Sequence, residues 1–169
     1  MKKLFIQTFL VLTSLFFFSC SGNDDNPEEQ LSVNEIKMTV NGEELIFNKV
    51  VTGKNTYHVY GGDNPKLTGT IGDSTDRIVT IILFKNDVGS GSLAEIEYHE
   101  KGVDYLYSTR VSHINCSEEA KVTLVTSEND GTNFAGNFSG KMEACSRDPN
   151  FEMLGSIDIT NGSFKITAK

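Results

Sequence analysis

Glu35-Ile36-Lys37-Met38-Thr39-Val40-Asn41-Gly42-Glu43-Glu44-Leu45-Ile46-Phe47 is the stretch that decides the fold. Apolar Ile36, Met38 and Val40 alternate with polar Glu35, Lys37 and Thr39, the period of a strand with one buried and one wetted face. Asn-Gly accepts the two successive positive φ angles of a two-residue hairpin turn. Asn41-Gly42 therefore reverses the chain, and Leu45-Ile46-Phe47 opens the return strand of a β-hairpin.

The same period continues outward from this hairpin. Strand-like runs follow at Tyr57 to Tyr60, Leu67 to Ile71, Arg77 to Phe84, Val103 to Val111, Ala120 to Thr126, Asn133 to Ala144 and Gly155 to Ala168. Turn-forming clusters separate them: Gly61-Gly62-Asp63-Asn64-Pro65, Gly72-Asp73-Ser74, Asn86-Asp87-Val88-Gly89, Asn129-Asp130-Gly131 and Asn161-Gly162. Ile78-Val79-Thr80-Ile81-Ile82-Leu83-Phe84 is almost continuously apolar, which predicts a central strand covered on both faces. Leu93 to Lys101 fits either a strand or a helix capped by Ser92 and ended by Gly102; the strand reading is preferred. About eight to nine strands with regular turn spacing predict an all-β domain over 35–169, an antiparallel sandwich or barrel.

Ahead of that domain the character changes. Lys2 and Lys3 precede an apolar run from Leu4 to Phe18, the n-region and h-region of an export signal spanning residues 1–19. As a helix the run is about 22 Å long at about 1.5 Å per residue, short of a hydrocarbon core of about 30 Å, so a permanent membrane span is the weaker reading. Leu15-Phe16-Phe17-Phe18-Ser19-Cys20 resembles the lipobox of bacterial lipoproteins, with Phe17 where Leu is usual. In that family the Cys becomes the lipidated first residue of the mature chain, which here implies lipidation of Cys20. The resemblance extends to lipoproteins of the Bacteroidetes, in which an acidic stretch after the Cys directs the protein to the outer face of the outer membrane; Asp24, Asp25, Glu28 and Glu29 stand there. Secretion or a periplasmic location is the alternative. Residues 20–34, polar and acidic with Pro27, are expected to form a disordered tether.

Charge and cysteine content narrow the classes further. The chain of 169 residues has 15 Lys and Arg against 23 Asp and Glu, a net charge of -8. Loss of Lys2 and Lys3 with the signal takes it to about -10. Such a surface repels a phosphate backbone and carries no basic cluster, which excludes nucleic acid as a partner. With Cys20 lipidated, Cys116 and Cys145 remain, an even pair in an oxidising compartment, and they are expected to form a disulfide. Its loop-closure contribution would be about 3.5 kcal/mol in the chain-entropy model. A zinc site is disfavoured: His113 precedes Cys116, but no second His or Cys follows Cys145.

Val122-Thr123-Leu124-Val125-Thr126, then Asn133-Phe134-Ala135-Gly136-Asn137-Phe138-Ser139-Gly140, then Ile157-Asp158-Ile159-Thr160-Asn161-Gly162-Ser163-Phe164 resembles the closing pattern of small Bacteroidetes outer-membrane lipoproteins of unknown function. With the signal, this resemblance covers roughly the last third of the chain. It implies lineage and an all-β fold, and it brings no catalytic residues.

Several constellations bear on chemistry. No G-x-S-x-G elbow is present, and Gly89-Ser90-Gly91-Ser92 has loop composition, so a serine hydrolase is disfavoured. On a strand, Glu95, Glu97 and His99 would share one face about 7 Å apart step to step, a face that could hold a metal or serve glycosidic acid–base chemistry. The plainer reading is a solvated sheet face. Gly72-Asp73-Ser74-Thr75-Asp76 and Glu128-Asn129-Asp130-Gly131 lack the spacing of an EF-hand and read as turns. Tyr57, Tyr60, Tyr98, Tyr105 and Tyr107 lie in or beside strands, and Tyr105 with Tyr107 could offer rings to a sugar, although core packing is the simpler role and the chain has no Trp.

The combined expectation is a lipid-anchored surface lipoprotein that is not an enzyme and needs no cofactor: a binding or envelope-accessory module held to the membrane by its anchor. A glycan or an envelope protein is its expected partner. The alternatives are a carbohydrate or nutrient-binding module built on Tyr105 and Tyr107, and a metal-dependent or glycosidic enzyme built on Glu95, Glu97 and His99.

Overall fold

The computed structural model describes residues 33–56, 62–109, 121–146 and 152–169. Among them are ten strands and no helix: β1 Glu35–Val40, β2 Glu43–Phe47, β3 Lys49–Asn55, β4 Asn64–Ile71, β5 Ser74–Leu83, β6 Leu93–Glu100, β7 Tyr107–Ser108, β8 Val122–Asn129, β9 Asn133–Cys145 and β10 Met153–Thr167. All pairings are antiparallel. Nine strands follow the path β2-β1-β10-β9-β7-β6-β5-β4-β3, and β8 pairs with β9 off that path.

The two ends of this path, β2 and β3, are separated in sequence by Asn48 alone. The sheet therefore curls until its edges nearly meet, and the expected sandwich or barrel is a nearly closed barrel. Closure brings β2 against β4. A Cβ on Gly69 of β4 would lie 2.9 Å from Phe47 Cβ of β2, so only glycine lets Phe47 seat itself there. Outside, Arg77 of β5 grips Glu43 of β2 with both terminal nitrogens, Nη2 to Oε2 at 3.0 Å. Its Nε donates to Glu100 Oε1 of β6 at 3.1 Å. A bidentate guanidinium–carboxylate pair fixes orientation as well as distance. The Arg77 guanidinium holds the Glu43 carboxyl below its ordinary range.

Alternation fills the barrel. Ile36, Met38 and Val40 from β1, Val79, Ile81 and Leu83 from β5, and Ile157, Ile159, Phe164 and Ile166 from β10 are all buried in one apolar cluster. The hairpin read from Asn41-Gly42 is present as expected, with φ of 47° and 89° at these residues and Val40 opposite Glu43. β5 lies between β4 and β6, and Val79 to Leu83 are buried without a break, as the continuous apolar run requires. Leu93–Glu100 is a strand, which resolves the strand-or-helix ambiguity.

Three readings are corrected. Lys49–Asn55 is a strand not foreseen from the sequence; it is an edge with Lys49, Val51, Lys54 and other positions exposed, so it lacks a buried face to impose a period. Asn161-Gly162 is not a turn. It is a bulge inside β10, where the register shifts between Ile159 and Gly162 and Asn161 has φ of 52°. The positive-φ preference of that pair serves a kink instead of a reversal. Val103 to Val111 contributes only the two residues of β7 among its described positions. Tyr57 to Tyr60 lies outside the described residues.

β9 carries β10 along one edge, and its other edge is shared by β8 and β7. The free side of β8 is pinned by the β5–β6 loop, where Gly89 and Thr126 exchange backbone hydrogen bonds of 3.0 and 3.2 Å. Behind that bridge, Thr126 Oγ1 donates to Ser92 Oγ at 2.9 Å, and Asn129 Nδ2 donates to the carbonyls of Phe84 and Asp87 at 2.7 and 2.8 Å. Ser92, Thr126 and Asn129 are all buried, so these bonds satisfy donors that water cannot reach, while Asn129 Oδ1 is buried without a hydrogen-bond partner.

Candidate functional site

β6 places Glu95, Glu97 and His99 on the face opposite Ile96 and Tyr98, as strand alternation demands. Neighbouring strands decide what each can do. Glu95 is buried and accepts a hydrogen bond from Ser108 Oγ of β7 at 2.8 Å. Glu97 stands opposite Ser108 on one side and Thr80 on the other. His99 stands opposite Ile78, and its Nδ1 is buried without a hydrogen-bond partner. The three share a face but run along one strand, so they do not converge. Among the described residues no group of three or more His, Cys, Asp or Glu side chains could hold a metal ion.

Sequence reading missed Glu143. It pairs with Ser108 across the β7–β9 bridge, on the same face as Glu95, and is equally buried at 4% exposure. Two carboxylates thus flank one serine hydroxyl beneath the surface. Nothing in the run Lys141-Met142-Glu143-Ala144 signals this, because the strand that brings Ser108 beside Glu143 is distant in sequence.

The tyrosines form an interior ladder and do not make a flat outer platform. The rings of Tyr98 and Tyr107 stack with centroids 6.2 Å apart, and Tyr105 meets Tyr107 edge-on at 5.4 Å. Tyr107 is 7% exposed and belongs to the core. Burial pushes the hydroxyls of Tyr98 and Tyr107 up to about 12, and a hydrogen bond with Tyr105 adds to the shift at Tyr107. Tyr105 packs over Gly155 of β10, where an added Cβ would lie 2.7 Å from its hydroxyl oxygen. Of the two tyrosines expected to face a sugar, Tyr107 is turned into the core by β7, and Tyr105 lies across it, half-buried. Tyr57 and Tyr60 lie outside the described residues.

The acidic loops behave as turns. Asp130 Oδ1 accepts the backbone N–H groups of Thr132 and Asn133 at 2.8 and 2.6 Å, and these bonds hold its carboxyl below the ordinary range. Asp73 pairs with Lys49, and Asp76 with Lys101. Of the cysteines, Cys145 ends β9 opposite Met153; Cys20 and Cys116 lie outside the described residues. No helix among the described residues is long and apolar enough to cross a membrane. No protein-family model and no curated protein matches the chain.

Proposed function

We propose that the chain is a lipid-anchored lipoprotein of the outer membrane, a non-enzymatic binding or envelope-accessory module displayed on an acidic tether. The observation that carries this reading is one continuous stretch: Lys2-Lys3, the apolar run to Phe18, Ser19-Cys20, then Asp24, Asp25, Glu28 and Glu29. Two or three acyl chains at Cys20, each buried methylene contributing about 0.8 kcal/mol, hold a soluble domain at a bilayer without a spanning segment. A disulfide between Cys116 and Cys145 belongs to the same reading, because export takes the chain into an oxidising compartment.

The filled interior supports a binding role on the outside. Aliphatic and aromatic side chains occupy the centre of the barrel, and a small barrel filled in this way leaves its outer faces and rims for partners. Cell fractionation tests the proposal. Expressed with its own signal in a Gram-negative host that processes lipoproteins, the protein is expected in the outer-membrane fraction and open to protease added to intact cells. Cys20→Ala is expected to move it to the soluble fraction. Wild-type protein recovered as soluble would overturn the reading.

A further inference from the structure

The outer face of β8, β9 and β10 carries an open depression of about 700 Å³, within the size range of small-ligand sites, about 300–1,000 Å³. Its origin is the β10 bulge. Gly162 forms part of the floor, and a Cβ there would lie 2.5 Å from the Phe138 carbonyl oxygen and 2.6 Å from the Phe138 ring, so only glycine fits at this point of the bulge. The register sets Val125, Asn137 and Ser163 in one row across the three strands and Thr123 beside Ser139 in the next. The bulge adds Thr160 and Asn161 at the rim.

The chemistry of this lining is specific. None of its nine residues is charged, whereas 22% of the chain is, and an average sample of nine would hold about two charges. Of the cations beside the row, Lys37 opposite Ser163 is already paired with Glu44 at 3.0 Å, and Lys165, two residues along β10, stands opposite Glu35. What remains is a set of hydroxyls and two amides, each able both to donate and to accept hydrogen bonds, around the 47% exposed side chain of Val125. A charged ligand would find no counter-charge there. A neutral polyhydroxylated ligand can exchange hydrogen bonds with the amides and hydroxyls while its C–H surface covers Val125.

We propose that this depression binds a neutral glycan through Asn137, Ser139, Asn161 and Ser163. The proposal rests on the reading of the domain as a binding module and gives that module a ligand class. It is tested with the purified full-length chain by calorimetric titration against soluble neutral oligosaccharides, uronic acid polymers and sulfated glycans. Saturable binding of a neutral oligosaccharide is expected, with Asn137→Ala plus Ser163→Ala weakening it about tenfold, the effect of losing about two ordinary hydrogen bonds. Val125→Asp is expected to weaken it at least as much, and Val51→Asp, on β3, to leave it unchanged. Asn137, Val125 and Val51 are exposed and Ser163 is half-buried, and thermal unfolding of each variant checks that it is folded. Absence of binding to every neutral oligosaccharide, equal or tighter binding of the anionic polymers, or indifference to the β8–β9–β10 variants would overturn the site. Lipidation at Cys20 is read separately, by mass, so failure here leaves the anchor reading intact.

Discussion

Phe47 of β2 packs directly against the backbone of Gly69 in β4, at a separation that leaves no room for a Cβ. This contact is where the curled sheet meets itself, since β2 and β4 are far apart along the hydrogen-bonded path. Gly69→Ala is therefore expected to destabilise the domain by about 1–3 kcal/mol, the usual cost of overpacking a close contact. Ile36 Cδ1 and Val79 Cγ1, each 3.2 Å from the added atom, block relaxation to either side. Urea unfolding checks this; a midpoint equal to that of the parent protein would show that β2 can lift away freely.

Arg77 holds the same closure from outside, and its partner titrates. Glu43 has its carboxyl lowered by the Arg77 guanidinium from an ordinary value of 4.5. A group lowered on folding contributes stability that is present above its unfolded value and lost as pH falls through the folded one. Stability is thus expected to decline on acidification below about 4.5, and Arg77→Leu is expected to flatten that decline. Thermal unfolding from pH 7 to pH 3 measures both slopes.

The buried clasp on the β5–β6 loop makes a sharper demand. Thr126→Val keeps the shape but strips the hydroxyl that donates to Ser92, itself fully buried. Ser92 keeps its bond to the Gly89 carbonyl, so the expected loss is that of one or two buried hydrogen bonds, about 1–2 kcal/mol. Asn129→Leu is expected to cost about as much, because it removes the amide that donates to the carbonyls of both Phe84 and Asp87. Amide hydrogen exchange is expected to quicken first at Gly89, whose N–H bonds to Thr126.

Alkaline titration probes the tyrosine ladder. Tyr98 and Tyr107 are raised to about 12 by burial. The neutral form is the one the fold favours, so the unfolded chain loses these protons first as pH rises above the ordinary value of 10. Stability is therefore lost between about pH 10 and 12. Absorbance at 295 nm is expected to show two of the five tyrosines ionising late and together with unfolding.

Much of this fold was legible because one face of most strands is buried. Ile36, Met38 and Val40 alternate, Asn41-Gly42 turns, and Ile78 to Leu83 is apolar save for Thr80 because β5 is buried over five successive residues. β3 escaped notice because an edge strand needs no such pattern. Asn161-Gly162 was misread because a bulge and a hairpin turn ask for the same positive φ. The candidate sites were less legible, since they depend on which strands become neighbours. The register that sets Asn137 beside Ser163, and Glu143 beside Ser108, joins residues of different strands. No local rule in the sequence announces those pairs.

The anchor is the claim on which the functional account turns, and intact-mass measurement of the protein isolated from membranes addresses it directly. The account predicts a chain beginning at Cys20 and heavier than its amino-acid sequence by the mass of attached acyl chains. A mature chain carrying no added mass, whether it begins at Met1 or after the signal, would contradict it.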